Sequence, residues 1–297
     1  MLGFDKIIPT EPQFKFMNLR KLMVFISIAF IFISISLLVF KGLNLGIDFK
    51  GGLLLEVKTK NTSISQIRSI LNNNFNDVSI QEFGEKDVII IRLQNNNEDT
   101  NIDTINLVKE VIDKNVVEYR RSEFVGPTIS SELLFKGIQA ITFSLIAILF
   151  YIWIRFEWQF GFGAVVALSH DVLITLGILS LLNIDFNLST IAAILTIAGY
   201  SINDTVVIYD RIRENLRKYK KMDMINLFNL SINNTLSRTI ITSLTTLCAL
   251  FSLYFFGGDV IKSFAFTMIV GVIIGTYSSI FISIPTLLLF KFRPQED

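Results

Sequence analysis

The sequence predicts a membrane protein, an α-helical bundle of six transmembrane helices with a small α+β domain between helices 1 and 2. Three observations predict this fold class. Six apolar blocks are each long enough to cross a bilayer, and a polar stretch separates the first block from the other five. Lys and Arg concentrate in segments that six crossings place on one side of the membrane.

Composition excludes several classes of protein. Of the 297 residues, 51% are hydrophobic and 18% are charged, whereas soluble domains are about 25% charged. This apolar content, with few Pro and Gly, excludes a disordered, collagen-like or coiled-coil chain. The net charge of +1 gives no support for a nucleic-acid partner. Because Cys248 is the single cysteine, no intramolecular disulfide can form, and we expect no metal site.

The first apolar block, residues 22–40, is uncharged and longer than the apolar region of a signal peptide, which is about 7–15 residues. We therefore predict an uncleaved transmembrane helix 1 after an N-terminal segment 1–21. The remaining five helices form a bundle over 132–290, followed by a C-terminal segment 291–297. Their predicted spans are 133–154, 160–182, 188–209, 239–256 and 264–290.

Orientation follows from the basic residues in short connections. Segment 1–21 contains four Lys and Arg residues, and the loop 210–238 contains seven. The turns near Asp185 and Asp259 have almost none. The positive-inside rule therefore predicts that both termini and the loop are cytoplasmic. The domain at 41–131 is then extracytoplasmic, that is, periplasmic.

Residues 41–131 show a readable order of elements. Strands alternate with helices in the order β-α-β-β-α-β, which is the ferredoxin-like or split-βαβ motif. The order therefore predicts a ferredoxin-like domain. The predicted elements are 53–58, 63–73, 78–83, 88–93, 101–115 and 116–125.

Few charges lie inside the predicted spans, and such charges usually face a bundle interior or a cavity. Asp204 lies in helix 4 about five residues before its cytoplasmic end, and Arg238 begins helix 5 at a similar depth. A carboxylate removed from water becomes easier to protonate, and a guanidinium that approaches it favours the ionised form. The pair therefore predicts a proton relay. The alternative is a static ion pair that fixes helix packing.

Asp171 lies near the middle of helix 3, directly after His170. Adjacent helical residues point about 100° apart, so this pair does not predict a metal site. Asp171 is either a second relay group or a structural acceptor between helices. An intramembrane aspartic protease is disfavoured, because Asp171 and Asp204 should differ in depth by about 5–8 Å.

Small and polar residues form stripes on three helices. Such stripes permit close helix packing in a membrane. They consist of Ala164, Ala167, Asp171 and Thr175 on helix 3; Arg238, Thr242, Thr245, Thr246 and Ala249 on helix 5; and Thr267, Gly271, Gly275 and Ser279 on helix 6. These stripes exceed what six helices can cover, so we expect a second chain to complete the bundle.

Four stretches resemble the SecD/SecF family of protein-export membrane proteins, within the resistance-nodulation-division superfamily. Residues 45–52 resemble its signature outside helix 1, and 199–215 resemble the end of its helix 4. Residues 169–172 and 236–243 resemble its helix 3 and the start of its helix 5. The residues that carry the first match are Gly46, Asp48, Phe49, Gly51 and Gly52. The short outside domain favours the SecF branch of the family.

This resemblance implies a subunit of the bacterial Sec translocase in the cytoplasmic (inner) membrane. SecD would supply the other half of a twelve-helix assembly, and the pair would use the proton-motive force to assist preprotein export. The SecYEG channel, the translocating preprotein and the lipid bilayer are implied partners, with YajC and YidC-type proteins as further candidates. The energy source is a proton gradient rather than a cofactor, and we expect no enzymatic activity.

The resemblance also implies roles for individual residues. Asp204 is the proton-carrying acid and Arg238 is its moving partner. His170, Asp171, Tyr200 and Asn203 occupy motif positions with either a relay or a packing role. Two other functions remain as alternatives. One is a small-solute or lipid exporter driven by protons, and the other is a passive translocon scaffold.

Overall fold

The computed structural model describes residues 13–60, 64–75, 78–82, 87–93 and 101–290. The predicted C-terminal segment 291–297 and residues 1–12 of the N-terminal segment lie outside this range. Contacts divide the chain into two compact units. One unit contains the described residues up to Asn44 and those from Ile141 onward, and the other is Leu45–Ala140.

The elements follow in chain order. After a 3₁₀ turn at Phe16–Leu19 come α1 (Arg20–Phe40), β1 (Asn44–Leu45), α2 (Ile47–Lys50), β2 (Gly52–Thr59), α3 (Ile64–Asn72), β3 (Val78–Glu82), β4 (Val88–Leu93), α4 (Asn101–Ile112), a 3₁₀ turn (Asp113–Asn115), β5 (Val116–Val125), α5 (Pro127–Arg155), α6 (Trp158–Leu182), β6 (Asp185–Phe186), α7 (Leu188–Lys218), α8 (Met224–Phe256), α9 (Asp259–Phe281) and α10 (Ser283–Leu287).

Six helices of the described chain are long and apolar enough to cross a membrane, as predicted. They are α1, α5, α6, α7, α8 and α9. About half or more of the most apolar stretch of α6, α7 and α9 is buried, against 11% to 17% for α1, α5 and α8. Helices α6, α7 and α9 are therefore the central ones among the six. Helices α1, α5 and α8 have most of their surface exposed.

The predicted loop 210–238 is mostly helical. Helix α7 continues to Lys218 and α8 begins at Met224, so only 219–223 connects them. Asp223 caps α8, because its carboxylate accepts hydrogen bonds from the backbone N–H groups of Ile225 and Asn226. The sequence did not predict this continuation of the two helices. Basic residues lower the hydropathy, and hydropathy indicates which residues cross a membrane rather than which residues are helical.

A short N-terminal segment is bound along α8 through its backbone. The Asn233 side chain accepts a hydrogen bond from the Phe14 N–H at 3.0 Å and donates one to the Phe14 carbonyl at 2.8 Å. One turn earlier, Asn229 accepts from the Met17 N–H at 2.9 Å. The two asparagines thereby satisfy the backbone groups of Phe14, which precedes the 3₁₀ turn, and the N–H of Met17 in its first residues.

The predicted stripes on helices 3 and 6 are buried, as expected for packing faces. On α6, Ala164, Ala167, Asp171 and Thr175 are all at most 3% exposed. On α9, a Cβ added at Gly271 would overlap the Ile197 side chain of α7. A Cβ added at Gly275 would lie 3.1 Å from Ser201 Cβ. These two glycines therefore set the close approach of α9 to α7.

None of the five residues of the predicted stripe on helix 5 is fully buried in this chain, although Thr242 and Thr246 are half-buried. Arg238, Thr245 and Ala249 are exposed, whereas Thr239 and Ser243 form the buried face of α8. Thr245 donates instead to the Ile241 carbonyl of its own helix. A polar face of α8 is therefore open on the described part of this chain.

The unit Leu45–Ala140 contains a four-stranded antiparallel sheet with strand order β3-β4-β2-β5. Strand β4 thus lies between β2 and β3, the two strands that α3 connects. Leu53, Leu55 and Val57 alternate along β2 and pack in one core with Ile67 of α3 and Val108 of α4. The predicted element order is observed, and the predicted bounds of β4 and β5 are confirmed. Between the strands predicted at 78–83 and 88–93 the sequence predicts a turn at 84–87, of which residues 84–86 lie outside the described residues.

Candidate functional site

Asp204 lies on the buried side of α7. A capping box at Asn187 fixes the start of this helix, because the Asn187 side chain accepts from the Thr190 N–H at 2.9 Å. Asp204 is 4% exposed. Its Oδ2 atom is buried and accepts no hydrogen bond from any described residue. A carboxylate oxygen is therefore held out of water without a fixed donor.

Arg238 is near Asp204 but does not pair with it. Within the described chain no ion pair of 4.0 Å or less joins the two groups. Arg238 is exposed on α8. The static ion pair considered from the sequence is therefore not formed in this arrangement.

Tyr200 and Asn203 lie on different sides of α7. The Tyr200 hydroxyl donates to Ser243 Oγ of α8 at 3.4 Å, and Ser243 shares a hydrogen bond of 2.8 Å with Thr276 of α9. Three helices are thus joined one turn from Asp204. Asn203 is exposed, so it faces away from the interior of this chain.

Asp171 is the anchored carboxylate of the bundle. It is fully buried, and its Oδ2 accepts from Ser201 of α7 at 2.5 Å and from Ser278 of α9 at 2.8 Å. Its Oδ1 lies 2.9 Å from His170 Nδ1. The expected separation of the His170 and Asp171 side chains was therefore wrong, because the imidazole turns back along the helix surface to reach its neighbour.

His170 extends this cluster towards α1. Its ring stacks on Tyr277 of α9 with centroids 6.0 Å apart, and its Nε2 is buried without a hydrogen-bond partner in the described chain. The Tyr277 hydroxyl donates to the Met23 carbonyl of α1 at 2.8 Å and shares a hydrogen bond with Ser27. Four helices therefore meet around one titratable pair.

The two aspartates thus have different chemical capacities. Asp171 has hydrogen-bond partners at both oxygens, which makes it suited to holding helices together. Asp204 has a buried oxygen that accepts no hydrogen bond from the described residues. No hydrogen bond joins the two aspartates within the described residues, unlike a protease dyad that shares a proton. The described residues also contain no group of three His, Cys, Asp or Glu arranged to hold a metal ion.

The glycine signature outside helix 1 has a backbone role. Gly46 precedes the short helix α2, which carries Asp48 and Phe49, and Gly51 and Gly52 connect α2 to strand β2. Gly51 has φ +72° and ψ +173°, a region that is essentially restricted to glycine, and Gly52 has φ +108°. Phe49 is buried, and Ile47 of α2 packs on Leu54 and Ile90 of the sheet. The two glycines therefore permit the reversal that brings α2 onto β2.

Sequence reasoning missed several residues of these clusters. The residues that were not singled out are Ser201, Ser243, Thr276, Tyr277, Ser278, Asn229 and Asn233. Ser278 lies directly beside the predicted seam residue Ser279, so a wider stripe would have included it. For Asn229 and Asn233 the sequence offers no signal, since asparagine side chains are mostly exposed to solvent.

Comparison with known proteins identifies the family. A family model for the protein export membrane protein SecD/SecF, C-terminal, matches residues 104–293, and a model for the SecD/SecF GG motif matches 36–63. Protein translocase subunit SecF of Rickettsia rickettsii is 47% identical over 293 residues, covering 97% of this chain and 95% of the relative. SecF of Rickettsia bellii is 47% identical over 290 residues, covering 96% of each chain.

Two solved structures are also similar. The crystal structure of SecDF, a translocon-associated membrane protein from Thermus thermophilus, matches with a TM-score of 0.87 at 34% identity. The match covers 96% of this chain and 40% of the SecDF chain, so this chain spans well under half of that protein. SecDF in its super-membrane-facing form matches with a TM-score of 0.69, over 94% of this chain and 39% of that one. The chain therefore belongs to the SecD/SecF family of protein-export membrane proteins, in its SecF branch.

Proposed function

We propose that this chain is the SecF subunit of a bacterial Sec translocase, which acts with SecD and uses the proton-motive force to assist preprotein export. The observation that carries the proposal is the state of Asp204. Its carboxylate is buried and lacks a donor at Oδ2, while Arg238 is close but not paired with it. A carboxyl group placed in this way can respond to the position of a neighbouring helix.

The proposed cycle uses the movement of α8 relative to α7. With Arg238 withdrawn, the neutral form of a buried carboxyl group is favoured, so Asp204 takes up a proton. When α8 brings the guanidinium to the carboxylate, the ionised form is favoured and the proton leaves. One proton crossing a potential of 100 mV carries about 2.3 kcal/mol, which is enough to bias such an equilibrium. The solved SecDF forms, which match this chain with different TM-scores, support a family that changes conformation.

The proposed orientation places both termini and the 219–223 connection in the cytoplasm. Residues 41–131 are then a periplasmic domain of the ferredoxin-like class. Its strand order, with β4 between β2 and β3, supports this class. The basic residues on α7 and α8 support the orientation, since short cytoplasmic connections carry an excess of Lys and Arg.

The SecD partner is supported by surface that this chain leaves open. The exposed face of α8 includes Arg238 and Thr245, and on α7 Gly199 and Asn203 are exposed. A Cβ added at Gly199 would meet no atom within 4 Å. Small and polar residues on adjacent helices permit close approach of another transmembrane helix. SecYEG, YajC, YidC-type proteins and the preprotein are proposed as partners from the family alone.

The test is to replace Asp204 with Asn, which keeps the size of the side chain but cannot carry a proton. We expect Asp204→Asn to abolish the contribution of the proton-motive force to preprotein translocation in inverted membrane vesicles, while ATP-driven translocation persists. Asp223→Asn is the matched control, because it makes the same chemical change at an exposed helix cap where Asn is equally suitable. Full stimulation of translocation by the proton-motive force in Asp204→Asn would favour the passive scaffold instead.

A further inference from the structure

A cavity of about 520 Å³ opens between the end of α5 and the last turns of α7, away from Asp204 and Asp171. Its walls carry four basic and two acidic side chains, a net charge of +2. They are Arg155, Asp210, Arg213, Glu214, Arg217 and Lys218, and we call this cavity the basic pocket.

The acidic side chains of the basic pocket are already engaged. Arg155 donates to both carboxylate oxygens of Asp210 at 3.0 Å, and Arg213 lies 3.8 Å from the same carboxylate. Glu214 accepts from Arg211, which lies outside the pocket, at 2.6 Å. These carboxylates therefore neutralise arginines rather than occupy the cavity.

Two cations of the pocket are not neutralised by a carboxylate, and Lys218 Nζ lies 5.2 Å from the centroid of the Tyr219 ring. Arg217 and Lys218 form no ion pair with any described residue. Both are exposed, at the C-terminal end of α7. The excess positive charge of the pocket is therefore concentrated where an incoming anion can reach it.

The other two arginines are held in place beforehand. Arg155 lies over the Phe156 ring with its guanidinium carbon 5.0 Å from the centroid, and Arg213 lies over the same ring at 5.4 Å. Phe156 is buried, so it gives both arginines a rigid support. Fixed guanidinium groups present paired donors to phosphate oxygens at a lower cost in side-chain entropy.

The depth of the pocket matches the phosphate layer of a bilayer. Arg155 is the last residue of a transmembrane helix, and the next one begins at Trp158. Trp158 is 59% exposed within the chain, and tryptophan side chains concentrate at the membrane–water interface. The opening of the pocket therefore lies at the level of lipid headgroups, where a phosphodiester is the most abundant anion.

We propose that the basic pocket binds the phosphate group of an anionic phospholipid, with Arg217 and Lys218 as the principal contacts and Arg155 and Arg213 as the fixed base. The role of Asp204 does not enter this proposal. A bound headgroup would join the ends of α5 and α7 and give the chain a preference for anionic lipid.

The test compares two double variants of the full-length chain that lose the same charge. Arg217→Gln/Lys218→Gln removes two cations from the pocket, and Lys220→Gln/Lys221→Gln removes two exposed cations a few residues further along. Native mass spectrometry in detergent measures the binding of phosphatidylglycerol, with phosphatidylcholine as the uncharged probe. We expect the pocket variant to bind phosphatidylglycerol about 30-fold more weakly than the unmodified chain, and the control within about twofold. Arg217→Lys keeps both charges and should retain binding.

Three results would overturn the proposal. Equal loss in both double variants, or loss in neither, would mean that the pocket does not select the lipid. Displacement of phosphatidylglycerol by millimolar inorganic phosphate would assign the pocket to a soluble phosphate instead. A phosphatidylglycerol preference that phosphate does not displace, and that only the pocket variant loses, supports the lipid headgroup.

Discussion

At the scale of single residues, the bundle places two aspartates in opposite situations. Ser201 and Ser278 both donate to Asp171, and His170 lies within hydrogen-bond distance of its other oxygen. Asp204 has a buried oxygen that none of the described residues contacts with a donor. The same type of side chain thus links three helices by hydrogen bonds when it lies on α6, and keeps one buried oxygen without a donor when it lies on α7.

Replacing Asp171 with Asn should destabilise the bundle, because the amide keeps one oxygen that can accept from the two serines but places an NH₂ group where the other carboxylate oxygen faces His170 Nδ1. We expect a loss of about 1–3 kcal/mol in unfolding free energy, measured by denaturant unfolding of the chain in detergent. Ser278→Ala removes a single donor and should cost about 1 kcal/mol. A fully stable Asp171→Asn chain that has lost proton-driven export would instead assign Asp171 to the relay.

Residue positions on the helices were predictable, but side-chain directions were only partly so. Spacing correctly placed Asp171 with Ala164 and Ala167 on a buried stripe. Spacing did not predict that the His170 ring reaches Asp171. The helix fixes the direction of the Cβ atom, but rotation about the side-chain bonds decides where the imidazole lies. Spacing also could not predict that Arg238 is disengaged from Asp204, since matching depth does not fix which face of α8 packs inward.

At the scale of elements, the packing of α9 on α7 depends on glycine. Gly271→Ala places a methyl group where Ile197 lies, so one helix must move. We expect a loss of about 1–3 kcal/mol in unfolding free energy in detergent. Gly199→Ala is the matched control, because it makes the same change on α7 in open space and should be neutral or slightly stabilising. Equal stability of the two variants would contradict the proposed close approach.

The connection from α2 to β2 should also require glycine, at Gly51. Gly51→Ala and Gly51→Asn both force a side chain into the glycine-restricted region, and we expect each to cost about 1–3 kcal/mol in unfolding free energy. Asn should not be tolerated better than Ala at this position, because the ψ angle of +173° lies far from the left-handed helical region that Asn can adopt. Gly126→Ala, where an added Cβ meets nothing within 4 Å, is the control. Unchanged unfolding free energies of the two Gly51 variants would show that the chain can make this reversal with backbone angles that other residues adopt.

Elements were predicted better than their ends. Strands β4 and β5 have the expected bounds because turn residues and alternating patterns delimit them. Helices α7 and α8 were predicted too short, because charged residues end an apolar run without ending a helix. Ile212, Leu227 and Phe228 are fully buried beyond the predicted spans, so tertiary packing continues both helices outside the apolar region.

At the scale of the whole molecule, the near-neutral total of +1 conceals local concentrations of charge. The basic pocket alone has a net charge of +2, and seven basic residues lie within 210–238. The open polar face of α8 similarly indicates a chain that is complete only in an assembly. Sequence stripes predicted the need for a partner, but only the fold identifies α8 as the helix whose stripe is left uncovered.

The single cysteine of this chain, Cys248, provides a crosslinking test of the exposed face of α8. Cys248 is exposed on α8, next to Ala249. If SecD packs on this face, oxidation should link Cys248 to a cysteine introduced into a facing SecD helix, as detected by a shifted band on a gel. The control is Phe32→Cys in a Cys248→Ser background, because Phe32 is 73% exposed on α1. Crosslinking from α1 but not from α8 would place the partner on the other side of the bundle.

The binding of the N-terminal segment to α8 has a consequence for sequence variation. Asn233 and Asn229 bind Phe14 and Met17 through the backbone N–H and C=O groups of those residues, and the Phe14 side chain is 53% exposed. Because every residue type except proline offers the same backbone groups, position 14 is free to change over evolutionary time without altering the path of the segment. The two asparagines lack that freedom: Asp at position 233 would lose the donor, and a longer amide would shift it out of register. Across relatives, variability at position 14 should therefore accompany retention of an amide at position 233.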